Sequence, residues 1–309
     1  MVSYIINRLI QMFIVVFGIS VIVFVITNLL GDPVGVLLPP ETPFEQREIF
    51  REQMGFNRPL IVQYGDFLGD AVRGDFGESF RSGRPASVLV LERMPATLTL
   101  TFTAIILAML IAVPMGIISA YKRHSIWENF ATLFVVTGQA MPIFWLGLLL
   151  IIIFGVNLKW LPVSGYGDGG IDRIKHLIMP AFVLGFFIAP VTERLVRSGM
   201  LEALSQDYVR TARAKGLTER VVLLRHAFRN TMIPVIAVLG LQFGQLLGGA
   251  VITEAVFAWP GVGQLAIESI RGADFPVTQA AVVLLAVIIT LVNLSVDLVV
   301  GALDPRIRR

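Results

Sequence analysis

Cysteine is absent from this 309-residue chain, and histidine occurs three times. Without a thiol there is no disulfide framework, no thiolate nucleophile and no cysteine-ligated zinc or iron–sulfur cluster. His124, His176 and His226 lie far apart without ligand spacing, so no metal site is expected. No Gly-x4-Gly-Lys-[Ser/Thr] loop occurs, and Gly is nowhere followed by Lys, so any ATPase must reside on another chain. Intramembrane hydrolysis finds no footing either: His-Glu-x-x-His is missing, as is a Ser/His arrangement, and an aspartyl pair has only Asp297 to draw on. Charge is scarce as well. Asp, Glu, Lys and Arg supply 15% of the residues, against about 25% in a soluble domain.

Apolar side chains fill that space, at 55% of the chain with a mean hydropathy of +0.77. They gather into six runs: Leu9–Leu30, Leu98–Ala120, Phe130–Phe154, Leu177–Val196, Ile233–Phe257 and Val277–Val300. Twenty helical residues cover the ~30 Å hydrocarbon core, so each run reads as a membrane span of an all-α polytopic protein. The first follows Arg8 but is too long for a signal peptide and lacks a small-x-small cleavage site, so it reads as an uncleaved anchor. The fourth is the weakest, interrupted by Pro180 and Pro190 and ending at Glu193 and Arg194.

Basic residues in the short loops set the orientation. With the N-terminus inside, fourteen fall on the cytoplasmic side, eight of them between Arg194 and Arg229, and four fall in short outer loops. Both ends are therefore expected in the cytoplasm. The net charge of +3 then marks cytoplasmic loops and anionic lipid rather than a nucleic-acid partner. Residues 1–95 read as an anchor helix plus an outer helical loop, and 96–309 as a five-helix domain with a cytoplasmic loop at 197–232. In the outer loop, Thr42-Pro43-Phe44-Glu45 starts a short helix that Gly55 ends; a second runs from about Pro59 to Arg73. A third, Ala86–Arg93, is expected to stop before Pro95. All three read as small surface helices.

The cytoplasmic stretch Ser205–Ile233 reads as two short helices around Gly216. Ser205 and Asp207 suit the first start, Gly216 a left-handed stop, and Thr218 the second cap. Arg220, Arg225 and Arg229 alternate with an apolar stripe of Val221, Leu224 and Phe228. Such a hairpin fits a partner's groove, or equally a basic loop held to anionic lipid. Within the spans, Gly240, Gly244 and Gly248 form a row that admits a close neighbouring helix. Gln242, Gln245 and Gln139 either line a polar path or bond another span, and Glu254 either faces that path or pins the Trp259-Pro260-Gly261 loop. Arg8 and Asp297 lie at matching depth and are expected to pair, because an unpaired charge at a helix centre costs about 2.5–3.5 kcal/mol on insertion scales.

An ordered series of motifs spans the chain: YIINRLIQ with the turn Gly31-Asp32-Pro33, Arg58-Pro59-Leu60, Gly74-Asp75-Phe76-Gly77, Met94–Leu100, FWLGLLL, WLPVSG, Glu254–Gly263 and the terminal LDPRIR. With the 205–233 hairpin they resemble the permease subunits of ABC importers of the dipeptide, oligopeptide, nickel and glutathione group. The resemblance implies a type I importer permease fold in the bacterial inner membrane, with no catalytic site. It implies a second homologous permease, two ATP-binding subunits that hold ATP and Mg, and a periplasmic binding protein that delivers short peptides, glutathione or a nickel complex. The ATPase-coupling set it implies is Asp207, Tyr208, Arg210, Thr211, Ala212, Arg213, Ala214, Lys215 and Gly216. The family's coupling loop begins Glu-Ala-Ala; here Arg210-Thr211-Ala212 precede Gly216, which leaves Asp207 or backbone packing in the glutamate's role. A stand-alone secondary transporter is the competing class. It predicts mirrored broken helices, yet the prolines of spans two to four are not repeated in five and six.

Overall fold

The computed structural model describes residues 2–303 apart from 31–33, 36, 37, 40, 54 and 56, so the Gly31-Asp32-Pro33 turn and the end of the terminal motif lie outside the described residues. The described chain is helical: α1 (Val2–Leu30), α2 (Phe44–Gln53), α3 (Leu60–Ala71), α4 (Ala86–Tyr121), α5 (Ile126–Ala140) and α6 (Ile143–Leu150), which runs on as a π-helical segment, Ile151–Asn157. There follow α7 (Gly170–Ser205), α8 (Asp207–Ala214), α9 (Phe228–Phe257), α10 (Val262–Arg271) and α11 (Phe275–Leu303). Five of these are long and apolar enough to cross a membrane, and α5 with the 143–157 helix makes a sixth as a pair bent by 105°. The described chain divides into two compact units, one built on residues 1–97 and 260–294, the other on 98–259 and the chain from 295 on.

The expected third span, 130–154, is therefore two helices. Met141 is extended (φ −99°, ψ 134°) and Pro142 caps α6. A residue before proline is pushed out of the helical region, and proline offers no N–H to carry the ladder across the break.

Two other expectations fail in the opposite sense. The helix begun at Ala86 does not stop before Pro95 but continues through it to Tyr121. The carbonyl four residues back belongs to Leu91, whose side chain is exposed, so water can satisfy what proline leaves open. The fourth run, weakest by composition, becomes the 36-residue α7, and 56% of its most apolar window is buried, the largest share among the five single-helix spans. Both prolines sit inside it. Pro190 frees the carbonyl of Phe186, and Gly138 of α5 packs its backbone against that oxygen so closely that a Cβ would overlap it. Neighbouring helices thus cover the gap. Gly185 presses equally hard on α4, where a Cβ would meet the Ala104 carbonyl oxygen at 2.5 Å. Ala104, Ala108 and Ala112 recur at one helical face there and are fully buried, which lets α4 and α7 lie backbone to backbone.

In the other unit, α3 lies against α1. Tyr64 shares a hydrogen bond of 2.9 Å with Ser20 and stacks edge-on against Phe24, with Phe67 beside both. Gly55 ends the α2 region at φ +74°, as expected of a left-handed stop. The segment after α3 is tied to the α10–α11 corner by Asp274, which accepts from Ser79 Oγ at 2.5 Å and Phe80 N at 3.1 Å.

Candidate functional site

The hairpin between α7 and α9 forms around Gly216. The helix α8 ends in a Schellman motif: Gly216 N–H donates to Arg213 O at 2.9 Å and Leu217 N–H to Ala212 O at 3.4 Å. This requires a left-handed residue at Gly216, which has φ +77°. Ser205 does not begin α8. It is the last residue of α7, its hydroxyl turned back on Glu202 O, and Gln206 occupies the cap position. The second helix of the hairpin is not separate either. Glu219–Val221, a π turn at Val222–Ala227 and α9 follow without a break, so the hairpin's second arm is the end of a membrane helix.

The π turn carries one residue more than an α turn, and that changes which side chains face inward. Val222, Ala227, Val209 and Ala212 are buried, with Leu204 packed beside them. The expected apolar stripe is displaced: Val221 and Leu224 are exposed, as are Tyr208 and Leu217. Those four and the exposed Arg210, Thr211, Ala214 and Lys215 make a mixed basic and apolar surface. Two contacts hold the arms together. Arg213 grips Glu219 with both nitrogens, Nε to Oε1 at 2.8 Å and Nη2 to Oε2 at 3.3 Å. That bidentate bond holds the Arg213 guanidinium above its already high usual pKa. Asn230 Nδ2 donates to Tyr208 Oη at 3.1 Å. Asp207 is almost fully exposed, its carboxylate 3.5 Å from Arg210 Nη1 and its carbonyl accepting from Thr211 Oγ1 at 3.0 Å.

Glu219 and Asn230 are not singled out by the sequence pattern, in which Asp207 is the acid of this stretch that carries a role. The spacing from Arg213 to Glu219 brackets Gly216 and was the available signal. Behind the hairpin, Arg197 of α7 pairs with Glu128 at the start of α5. Glu193 is buried and accepts from Ser119 Oγ at 2.9 Å.

The polar residues of the spans do not converge. Gln242 is 7% exposed and inside the second unit, whereas Gln245 lies on an open face of α9 with Leu241, Gly248 and Ile252. Of the glycine row, Gly240 meets Val296 closely and Gly248 has nothing within 4 Å of a Cβ. Gln139 is exposed, and Arg194 reaches it at 3.5 Å. Glu254 is fully buried, and its carbonyl accepts from Trp259 N at 2.9 Å across the left-handed Ala258. Trp259 is buried too, edge-on to Tyr166, which carries Arg173 over its ring; Gly165 N–H donates to Phe257 O at 2.8 Å. That tryptophan is a core residue. Arg8 and Asp297 are each half-buried, and Arg8 donates to Gln11 Oε1 at 3.1 Å.

Long apolar helices, with two of them joined by a clasped polar hairpin, define a polytopic membrane subunit. The description "Binding-protein-dependent transport system inner membrane component" fits residues 112–309, and the N-terminal component of the same system fits 1–101. The chain belongs to this family and is the membrane-spanning permease subunit of an ABC importer. It is 41% identical to the oligopeptide transport system permease protein AppB of Bacillus subtilis, with 99% of each chain covered. It is 40% identical to the glutathione transport system permease protein GsiC of Escherichia coli K12, over 100% of this chain and 99% of that one. An inward-facing methionine ABC transporter, MetNI, superposes with a TM-score of 0.57 at 20% identity, over 70% of this chain and 96% of the other, and so shares the fold. An amino acid ABC transporter solved with histidines gives 0.52 at 17% identity over 71% and 94%.

Proposed function

We propose that this permease sits in the bacterial inner membrane with six crossings and both ends inside, and that it imports short peptides handed over by a periplasmic binding protein. It pairs with a second homologous permease, and two ATPase subunits supply ATP and Mg; the chain itself carries no catalytic site. The observation that carries the cargo is identity of 40–41% over the full length to permeases named for oligopeptides and for glutathione. Both cargoes are short, flexible chains with free carboxylates and amides. The coupling surface is the hairpin, whose buried side ties it to α7 and α9 and whose exposed Tyr208, Arg210, Leu217, Val221 and Leu224 are left for an ATPase groove. The open face of α9, with Gln245 at its centre, lines the translocation path.

Vesicles holding the whole transporter test this. Labelled tripeptide should enter with ATP and binding protein present, and unlabelled glutathione should compete only if the two share a site. Uptake that proceeds without the ATPase subunits would instead make the chain a stand-alone carrier.

A further inference from the structure

The outer end of the α1 span and the first turn of the α11 span border one cavity of about 220 Å³, inside the first unit. Phe24 and Asn28 reach it from α1, Phe275 and Gln279 from α11. The helix α1 ends at Leu30 and α11 begins at Phe275, so the cavity borders matching ends of two membrane-length helices. The cavity therefore lies where lipid head groups lie. Beside it, α3 does not float on the surface. Tyr64 bonds Ser20, about 15 Å along α1 from its end at Leu30. Leu60 and Ile61 on the same helix are 48% and 81% exposed, an aliphatic edge left open by the described residues. A helix that sets Tyr64 and Phe67 against α1 and leaves Leu60 and Ile61 exposed at its first turn lies in the interface, with that turn against acyl chains.

At the cavity wall stands one charge of each sign. Arg58 Nη1 lies 3.0 Å from Asp66 Oδ2, and both side chains are half exposed. Phe24 and Phe67 supply an aromatic wall. We propose that this cavity seats the head group of a zwitterionic phospholipid, its phosphate on Arg58, its ammonium on Asp66, its acyl chains along Leu60 and Ile61. A guanidinium takes a phosphate by charge-assisted bonds, and aromatic faces favour the ammonium. An anionic lipid would gain the arginine and be repelled by the aspartate. A soluble zwitterion would match both charges and leave the aliphatic edge bare. The site is independent of the cargo.

Native mass spectrometry of the whole transporter complex in detergent, titrated with phosphatidylethanolamine or phosphatidylglycerol, tests it. The informative variant is the exchange Arg58→Asp/Asp66→Arg, which keeps an ion pair inside the protein but reverses the charges a tethered head group meets. Wild type should retain phosphatidylethanolamine roughly tenfold better than phosphatidylglycerol, and the exchange should abolish that preference with the melting temperature unchanged. If the exchange lowers the yield of complex, Ile61→Asn on the exposed edge must still weaken retention. Equal binding of both lipids, a preference that survives the exchange, or displacement of the lipid by dialanine would each overturn the proposal.

Discussion

A single φ angle organises the hairpin. Gly216 has open space around it, so a Cβ there clashes with nothing and the whole cost of substitution is backbone conformation. A side chain in the left-handed region costs about 1–2 kcal/mol, a β-branched one more, while asparagine tolerates it. Gly216→Val should therefore reduce ATPase co-purification roughly tenfold at unchanged membrane insertion, and Gly216→Asn should be close to wild type. Were the stretch merely a basic loop on lipid, neither neutral change would register, and Arg210→Ala/Arg213→Ala alone would matter. Gly138 obeys a different constraint: its neighbour is the immovable Phe186 carbonyl. Gly138→Ala should lower stability by about 1–3 kcal/mol, read as a fall in melting temperature of the detergent-purified chain. Gly65→Ala, in a helix with no atom near the added methyl, should leave it unchanged or slightly raised.

Among elements, the π turn at 222–227 decides which face the hairpin shows. Deleting Leu223 should restore an α turn and rotate the outward residues about 100° relative to α9. Insertion should persist while ATPase docking is lost; docking that survives would detach Val221 and Leu224 from the interface. The bent pair α5–α6 poses the topological question. A cysteine at Ser164, past the bend, should label from outside, and one at Ser205 only after permeabilisation. Labelling at Ser164 only from inside would make the pair re-entrant. Sequence was legible here wherever a rule acts within one helix. Gly55 and Gly216 stop where their backbone freedom predicts, and the apolar runs find membrane helices. It was silent where a neighbour decides the outcome. Pro142 breaks its helix and Pro190 does not, because α5 covers the carbonyl that Pro190 frees, and no local pattern encodes that cover. The displaced stripe of 221–228 was read with an α period through a turn that does not have one.

At the scale of the molecule, the second unit contains both the hairpin and the open face of α9. Gln245→Leu should abolish uptake with the complex intact, and Gln242→Leu, inside the fold, should change stability more than transport. Equal loss of uptake from both with normal assembly would return the pair to a shared polar path. The two helices that carry the hairpin also carry the opposite end of the unit: α7 begins just past the Tyr166 loop, and α9 ends where Phe257 and Trp259 receive it. The hairpin and the Trp259 lock are thus two ends of the same pair of drive shafts. Under the proposed function, a load at one end passes along α7 and α9, past Pro180, Pro190 and Pro234 and through the π turn, and links occupancy at one end to docking at the other. If docking an ATPase alters outer-end affinity tenfold, an outer ligand alters docking tenfold, about 1.4 kcal/mol in either direction.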